Sequence, residues 1–116
     1  MAHIGHDTLA ELRDPSRELR RLIPDVYKGF VDTHKAALGE GVLDTRTKEL
    51  VALAISVSTQ CDGCIASHAR GAAHAGATRE EVAEIIGVAI LMSGGPATVY
   101  GPRALAAFDD FAGATS

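Results

Sequence analysis

The chain has 116 residues, enough for one domain with a core of its own and no need of disulfide staples. Hydrophobic residues make up 47% of it, yet there is no Trp and little aromatic content, so the core must be built from Ala, Val, Leu and Ile. A formal charge of −4, with acids and bases scattered rather than blocked, excludes nucleic acid or an anionic membrane surface as the main partner. No apolar run approaches the ~20 residues a membrane span needs. The start of the chain lacks a basic head followed by an apolar run, so a cytoplasmic location is expected.

In chain order, a short helix is expected through Thr8-Leu9-Ala10-Glu11-Leu12, with Pro15 stopping or restarting it. Pro24 opens the next helix, because proline is tolerated in a first turn. From Asp25 to Leu38 the apolar residues Val26, Phe30, Val31, Ala37 and Leu38 recur at helical steps, and Gly39-Glu40-Gly41 ends the run. Asp44 is a good N-cap for a helix from Thr45 to about Ser58. Its run Leu50-Val51-Ala52-Leu53-Ala54-Ile55 is apolar around most of the circumference, so this helix is expected to be the most buried. A break at Thr59-Gln60 leads into a helix that should run to Ala75 and close at Gly76.

Thr78-Arg79-Glu80-Glu81 matches a capping box, which starts a helix carrying Val82, Ile85, Ile86, Ala89, Ile90 and Leu91. These residues and Met92 are expected in the core. Gly94-Gly95-Pro96 breaks the chain before a last helix bearing Val99, Tyr100, Leu105, Phe108 and Phe111, which Gly101-Pro102 should interrupt or kink. No period-two alternation of useful length appears, so the fold class is all-α: a single domain spanning residues 1–116, with about five to six helices.

The chemistry concentrates in Gln60-Cys61-Asp62-Gly63-Cys64-Ile65-Ala66-Ser67-His68, which holds both cysteines of the chain. On a helix Cys61, Cys64 and His68 would lie within an arc of roughly 60°. Two cysteines so spaced have Cα atoms about 5 Å apart, which a disulfide accepts. A helix N-terminus favours the thiolate, and Cys61 is best placed for that effect. Cys64 instead has His68 one turn further on, where an imidazole accepts its proton. Cys64 is therefore read as the base-assisted thiol and Cys61 as its disulfide partner. Glu49 is the candidate third member, since a carboxylate in an apolar helix needs a partner and the adjoining helix offers His68.

Blander readings exist for each residue. The cysteines are plain core residues in one, and Glu49 pairs with Arg46 or Lys48 in another. Zinc is disfavoured, because His74 lies roughly 9 Å further along the helix than His68 and leaves only three ligands. His3, His6, His34 and His74 read as surface or partly packed histidines.

Glu49, then Cys61-x-x-Cys64 and His68 at this spacing, resembles the signature of the alkylhydroperoxidase D-like, carboxymuconolactone decarboxylase superfamily. The similarity continues through Gly76-Ala77-Thr78-x-Glu80-Glu81-Val82 and Gly94-Gly95-Pro96-Ala97…Val99-Tyr100, covering about residues 41–111. The resemblance implies an all-helical domain assembled into homotrimers or homohexamers, with sites close to subunit interfaces. It implies that Cys61 and Cys64 reduce a hydroperoxide or a disulfide, that Glu49 and His68 form a proton relay, and that Tyr100 lines the pocket. It also implies an external dithiol reductant of lipoyl or thioredoxin type, and no cofactor. Peroxidase members carry a histidine just before the second cysteine, where this chain has Gly63; decarboxylase members generally lack the paired cysteines. Two other readings stay open: a redox-sensing stress-response protein without turnover, and a lyase working through His68 and Glu49.

Overall fold

The computed structural model describes residues 4–113, and all regular structure among them is helical. The helices are α1 (Ile4–Leu22), α2 (Pro24–Leu38), α3 (Thr45–Ser58), α4 (Asp62–His74), α5 (Arg79–Ser93) and α6 (Gly95–Ala112). His3 lies outside the described residues. The all-α expectation is met.

Local chemistry accounts for most of the boundaries. The Asp44 side chain accepts the Thr47 N–H at 2.8 Å and starts α3. Hydrogen bonds from Thr47, its side chain first and its backbone N–H second, hold the Asp44 carboxyl below its ordinary carboxylate range. Thr78 and Glu81 form the complete capping box of α5. Glu81 also accepts the Arg46 guanidinium at 2.9 Å, which ties the start of α5 to α3. Gly76, at φ 87°, closes α4 as expected. Its N–H bonds to Ala73 and that of Ala77 to Ala72, a Schellman arrangement.

Two prolines behave differently from expectation. Pro15 sits inside an unbroken α1, and Pro102 inside an unbroken α6. Both are exposed, so water can satisfy the carbonyl one turn back that loses its donor. Gly101, next to Pro102, is buried against α5: a Cβ there would come within 2.7 Å of Ile86 Cγ2.

The core forms where α4 meets α3, α6 and α1, and where α5 closes over α3 and α6. Its largest fully buried side chains are Leu53, Val57, Ile65 and Val82; burying each contributes roughly 1.5–3 kcal/mol. Between them lie Ala66, Ala69 and Ala72 of α4 and Ala97, Ala104 and Ala107 of α6, all buried. Side chains of one carbon let the helices approach closely, which is how a chain without Trp packs a core. Arg79 of α5 grips the buried Asp109 of α6 through Nε and Nη2. Its guanidinium is held above the usual range by that carboxylate.

The expected burial pattern needs correction. α3 buries five of its 14 residues and α6 six of its 18, so α3 is the more buried in proportion, yet its Val51 and Ile55 face outward. α5 buries only the stripe Val82, Ile86 and Ala89, while Leu91 and Met92 are 80% and 77% exposed. The reason is angular: a helix apolar on most sides still turns only one stripe to its neighbours. α2 has no buried residue at all, and Val26, Phe30 and Val31 remain exposed on it.

The turn between α3 and α4 is the unusual one. Gln60 adopts φ 56°, the left-handed region that favours glycine. Its N–H bonds to Val57 and the Cys61 N–H bonds to Ser56, so Gln60 is the left-handed residue of a second Schellman motif. Gln60→Gly should therefore stabilise the fold by about 1 kcal/mol. Chemical denaturation measures it; a destabilised variant would show that the glutamine side chain holds the turn.

Candidate active site

The Schellman turn delivers Cys61 in extended backbone directly to the N-cap of α4. The helix thus begins at Asp62, one residue later than a helix containing both cysteines would. Cys61 Sγ accepts the Cys64 N–H at 3.2 Å, using one of the donors that a helix start leaves unpaired. The two cysteines are joined as a disulfide, with Cα atoms 5.2 Å apart. Cys64 is an exposed residue and Cys61 a half-buried one. Neither is an inert core residue.

His68 stands one turn after Cys64 on α4, on the same face. Its Nδ1 lies 2.7 Å from Glu49 Oε1, reaching across from α3. The side chains of this pair are only 19% and 10% exposed. A carboxylate accepts, so the imidazole donates from Nδ1 and keeps Nε2 as its basic nitrogen. The alternative partners of Glu49 are engaged elsewhere: Arg46 with Glu81, and Lys48 with the Gly39 carbonyl. Gly71, one turn below His68, makes the pair possible, because a Cβ there would occupy the position of the Glu49 carboxylate. Sequence reading missed Gly71; the available signal was a glycine amid an otherwise regular helix.

The other sequence-selected residues fall around this centre. Tyr100 is half-buried against the core, with the Arg103 guanidinium 5.6 Å from its ring centroid. Arg103 in turn binds both carboxylate oxygens of Asp62, each at 3.0 Å, and is held above its usual range by them. Tyr100 is thus tied to the start of α4 rather than to Glu49. Gly63 faces α1: a Cβ there would lie 3.0 Å from Leu12 Cδ1. The site where a histidine would stand is crowded by that leucine.

On the far side of Glu49 is an open depression of about 380 Å³, whose walls include His34, Thr45, Glu49, Ser67, Arg70 and His74. His34, read from the sequence as a surface or partly packed histidine, is half-buried, and its ring lies 12° from parallel to that of His68 with the centroids 5.8 Å apart. His6 binds Asp110 at 2.7 Å and packs on Phe111, far from the cysteines in sequence. Among the described residues no three His, Cys, Asp or Glu side chains converge so as to hold a metal ion.

Comparison with known proteins bears on the family and the fold. The family model for the carboxymuconolactone decarboxylase family matches residues 24–110. Uncharacterized protein 4 in the cox locus of Paracoccus denitrificans is 39% identical over 97 residues, covering 84% of this chain and 87% of the relative. An uncharacterised protein of Cupriavidus necator is 38% identical over 101 residues, covering 87% and 89%. The apo crystal structure of a carboxymuconolactone decarboxylase family protein from Legionella pneumophila superimposes with a TM-score of 0.91 at 36% identity, covering 96% of this chain and 99% of that one.

The dependence of the Glu49–His68 pair on Gly71 is directly testable. Gly71→Ala should push the carboxylate off His68 and destabilise the protein by roughly 1–3 kcal/mol. Thermal and denaturant unfolding would report it, and a variant as stable as the parent would mean that Glu49 relaxes without cost.

Proposed function

The chain belongs to the carboxymuconolactone decarboxylase family, and on that premise we propose that it is a thiol-dependent oxidoreductase acting on hydroperoxides or disulfides. The observation that carries the reading is the Cys61–Cys64 disulfide at the start of α4, with Cys64 an exposed residue and His68 one turn on, paired to Glu49. A decarboxylase has no evident use for a dithiol placed this way.

In the reduced protein the Cys64 thiol gives its proton to the imidazole of His68, and the thiolate attacks the outer oxygen of a hydroperoxide. The O–O bond breaks, a sulfenic acid forms on Cys64, and the alkoxide takes the proton from His68 to leave as an alcohol. Cys61 then attacks the Cys64 sulfur and expels water, which closes the disulfide. The α4 N-cap favours the thiolate at Cys61, which suits it to that second step. An external dithiol returns both electrons by thiol–disulfide exchange and becomes a disulfide itself. Lipoyl or thioredoxin-type dithiols are the donors we propose. Throughout, Glu49 holds the imidazole in one tautomer and compensates its charge when protonated.

Assembly belongs to the same proposal. Val26 and Phe30 on α2, Val51 and Ile55 on α3, and Leu91 and Met92 on α5 are left exposed in a single copy. So much uncovered apolar surface is what subunit contacts remove from water, and three or six copies are the proposed state. Sedimentation should show that oligomer; a monomer at micromolar concentration would oppose it.

Catalysis is tested by consumption of a small alkyl hydroperoxide with a chemical dithiol as donor. Cys64→Ser should abolish turnover, and Cys61→Ser, pre-reduced and assayed with the dithiol removed, should stop after one equivalent with a sulfenic acid on Cys64. Glu49→Gln should slow the reaction by roughly 10²-fold, the usual scale for impairing a positioned base. Undiminished consumption in Cys64→Ser would sink the proposal.

A further inference from the structure

His34 has no place in the relay as its residues are spaced along the chain, yet the fold sets it against the member that must move a proton. It comes from α2, which contributes nothing to the core, and its ring lies nearly parallel to that of His68, the centroids 5.8 Å apart. On its other side Phe30 stands 6.2 Å away, tilted by 51°. The His68 ring therefore has two neighbours: Glu49 through Nδ1, and the ring of His34 packed alongside and nearly parallel to it.

Those contacts do different things. Imidazole N–H bonds and lone pairs lie in the ring plane, so the Glu49 bond fixes which nitrogen carries the proton. One in-plane hydrogen bond still leaves the ring able to tilt about that bond. A ring packed nearly parallel beside it limits that tilt and keeps Nε2 aimed in one direction. His34 acts by packing.

We propose that His34 is a positioning residue of the thiol site, holding the His68 ring so that its free nitrogen serves Cys64. The inference rests on the thiol reading above, and it assigns to α2 a second imidazole where the stretch between the cysteines has Gly63, hemmed in by Leu12. It also explains why a helix with no buried residue is kept against α3: its C-terminal half carries the side chain that steadies the base.

The test separates a flat ring from a histidine and from a merely structural contact. His34→Ala removes the ring and His34→Phe keeps a flat face. Two measurements apply, neither of which needs peroxide turnover. One is the rate at which the reduced protein reacts with an aromatic disulfide reagent. The other is the low-field proton resonance of the His68 Nδ1–H bonded to Glu49. In His34→Ala the reaction should slow roughly tenfold and the resonance should broaden or vanish, the effect of a reacting group displaced by a fraction of an ångström. In His34→Phe both should stay close to the parent. Thermal melts of the two variants should match, since α2 lies outside the core. An alanine variant with parental rate and resonance would overturn the inference, as would a phenylalanine variant as slow as alanine. Failed peroxide turnover in the parent would instead count against the oxidoreductase reading.

Discussion

Glu49 is a charged residue buried on α3, and its bond to His68 is the constraint around which this structure is arranged. Burying a carboxylate without a partner costs far more than one domain can absorb. The bond therefore fixes how α3 lies against α4. Gly71 opens the space for it, and His34 packs alongside the imidazole. A histidine held this way has one nitrogen committed and one free, which is the arrangement a general base requires.

The dithiol is placed by a different device. A left-handed residue at Gln60 ends α3 in two hydrogen bonds and turns the chain so that Cys61 caps α4. The next helix then carries Cys64 and His68 on one face. Backbone geometry positions the first sulfur, and helical periodicity places the second cysteine on the face of His68. The ion pair of Asp62 with Arg103, and the stack of Arg103 on Tyr100, bind the same turn to α6. The reactive loop is thus anchored from α3 and α6, with Leu12 of α1 packed beside Gly63.

Away from the site, small residues dominate. Alanines on α4 and α6 bring the helix axes together, and only a few branched side chains fill the space between. A core of this kind is thin, and much aliphatic surface on α2, α3 and α5 lies outside it. The leftover surface and the modest core are two consequences of one composition: many apolar residues, few of them large.

What the sequence alone determined was local. Asp44, the Thr78–Glu81 box and Gly76 mark helix ends because a cap is satisfied within four or five residues of itself. The spacing from Cys61 to Cys64 to His68 was legible for the same reason, and the partner of Glu49 was legible only with a resemblance to guide it. The tertiary structure decided everything that depends on which face meets which neighbour. Leu91 and Met92 look like core and lie outside it, since α5 is apolar on more sides than it can bury. Pro15 and Pro102 look like breaks and are not, because exposed positions tolerate a missing donor. Gly71 and His34 carry no local mark of their roles. One is defined by a carboxylate from another helix and the other by a ring thirty-four residues away, and contacts across such separations are set by packing, not by neighbours in the chain.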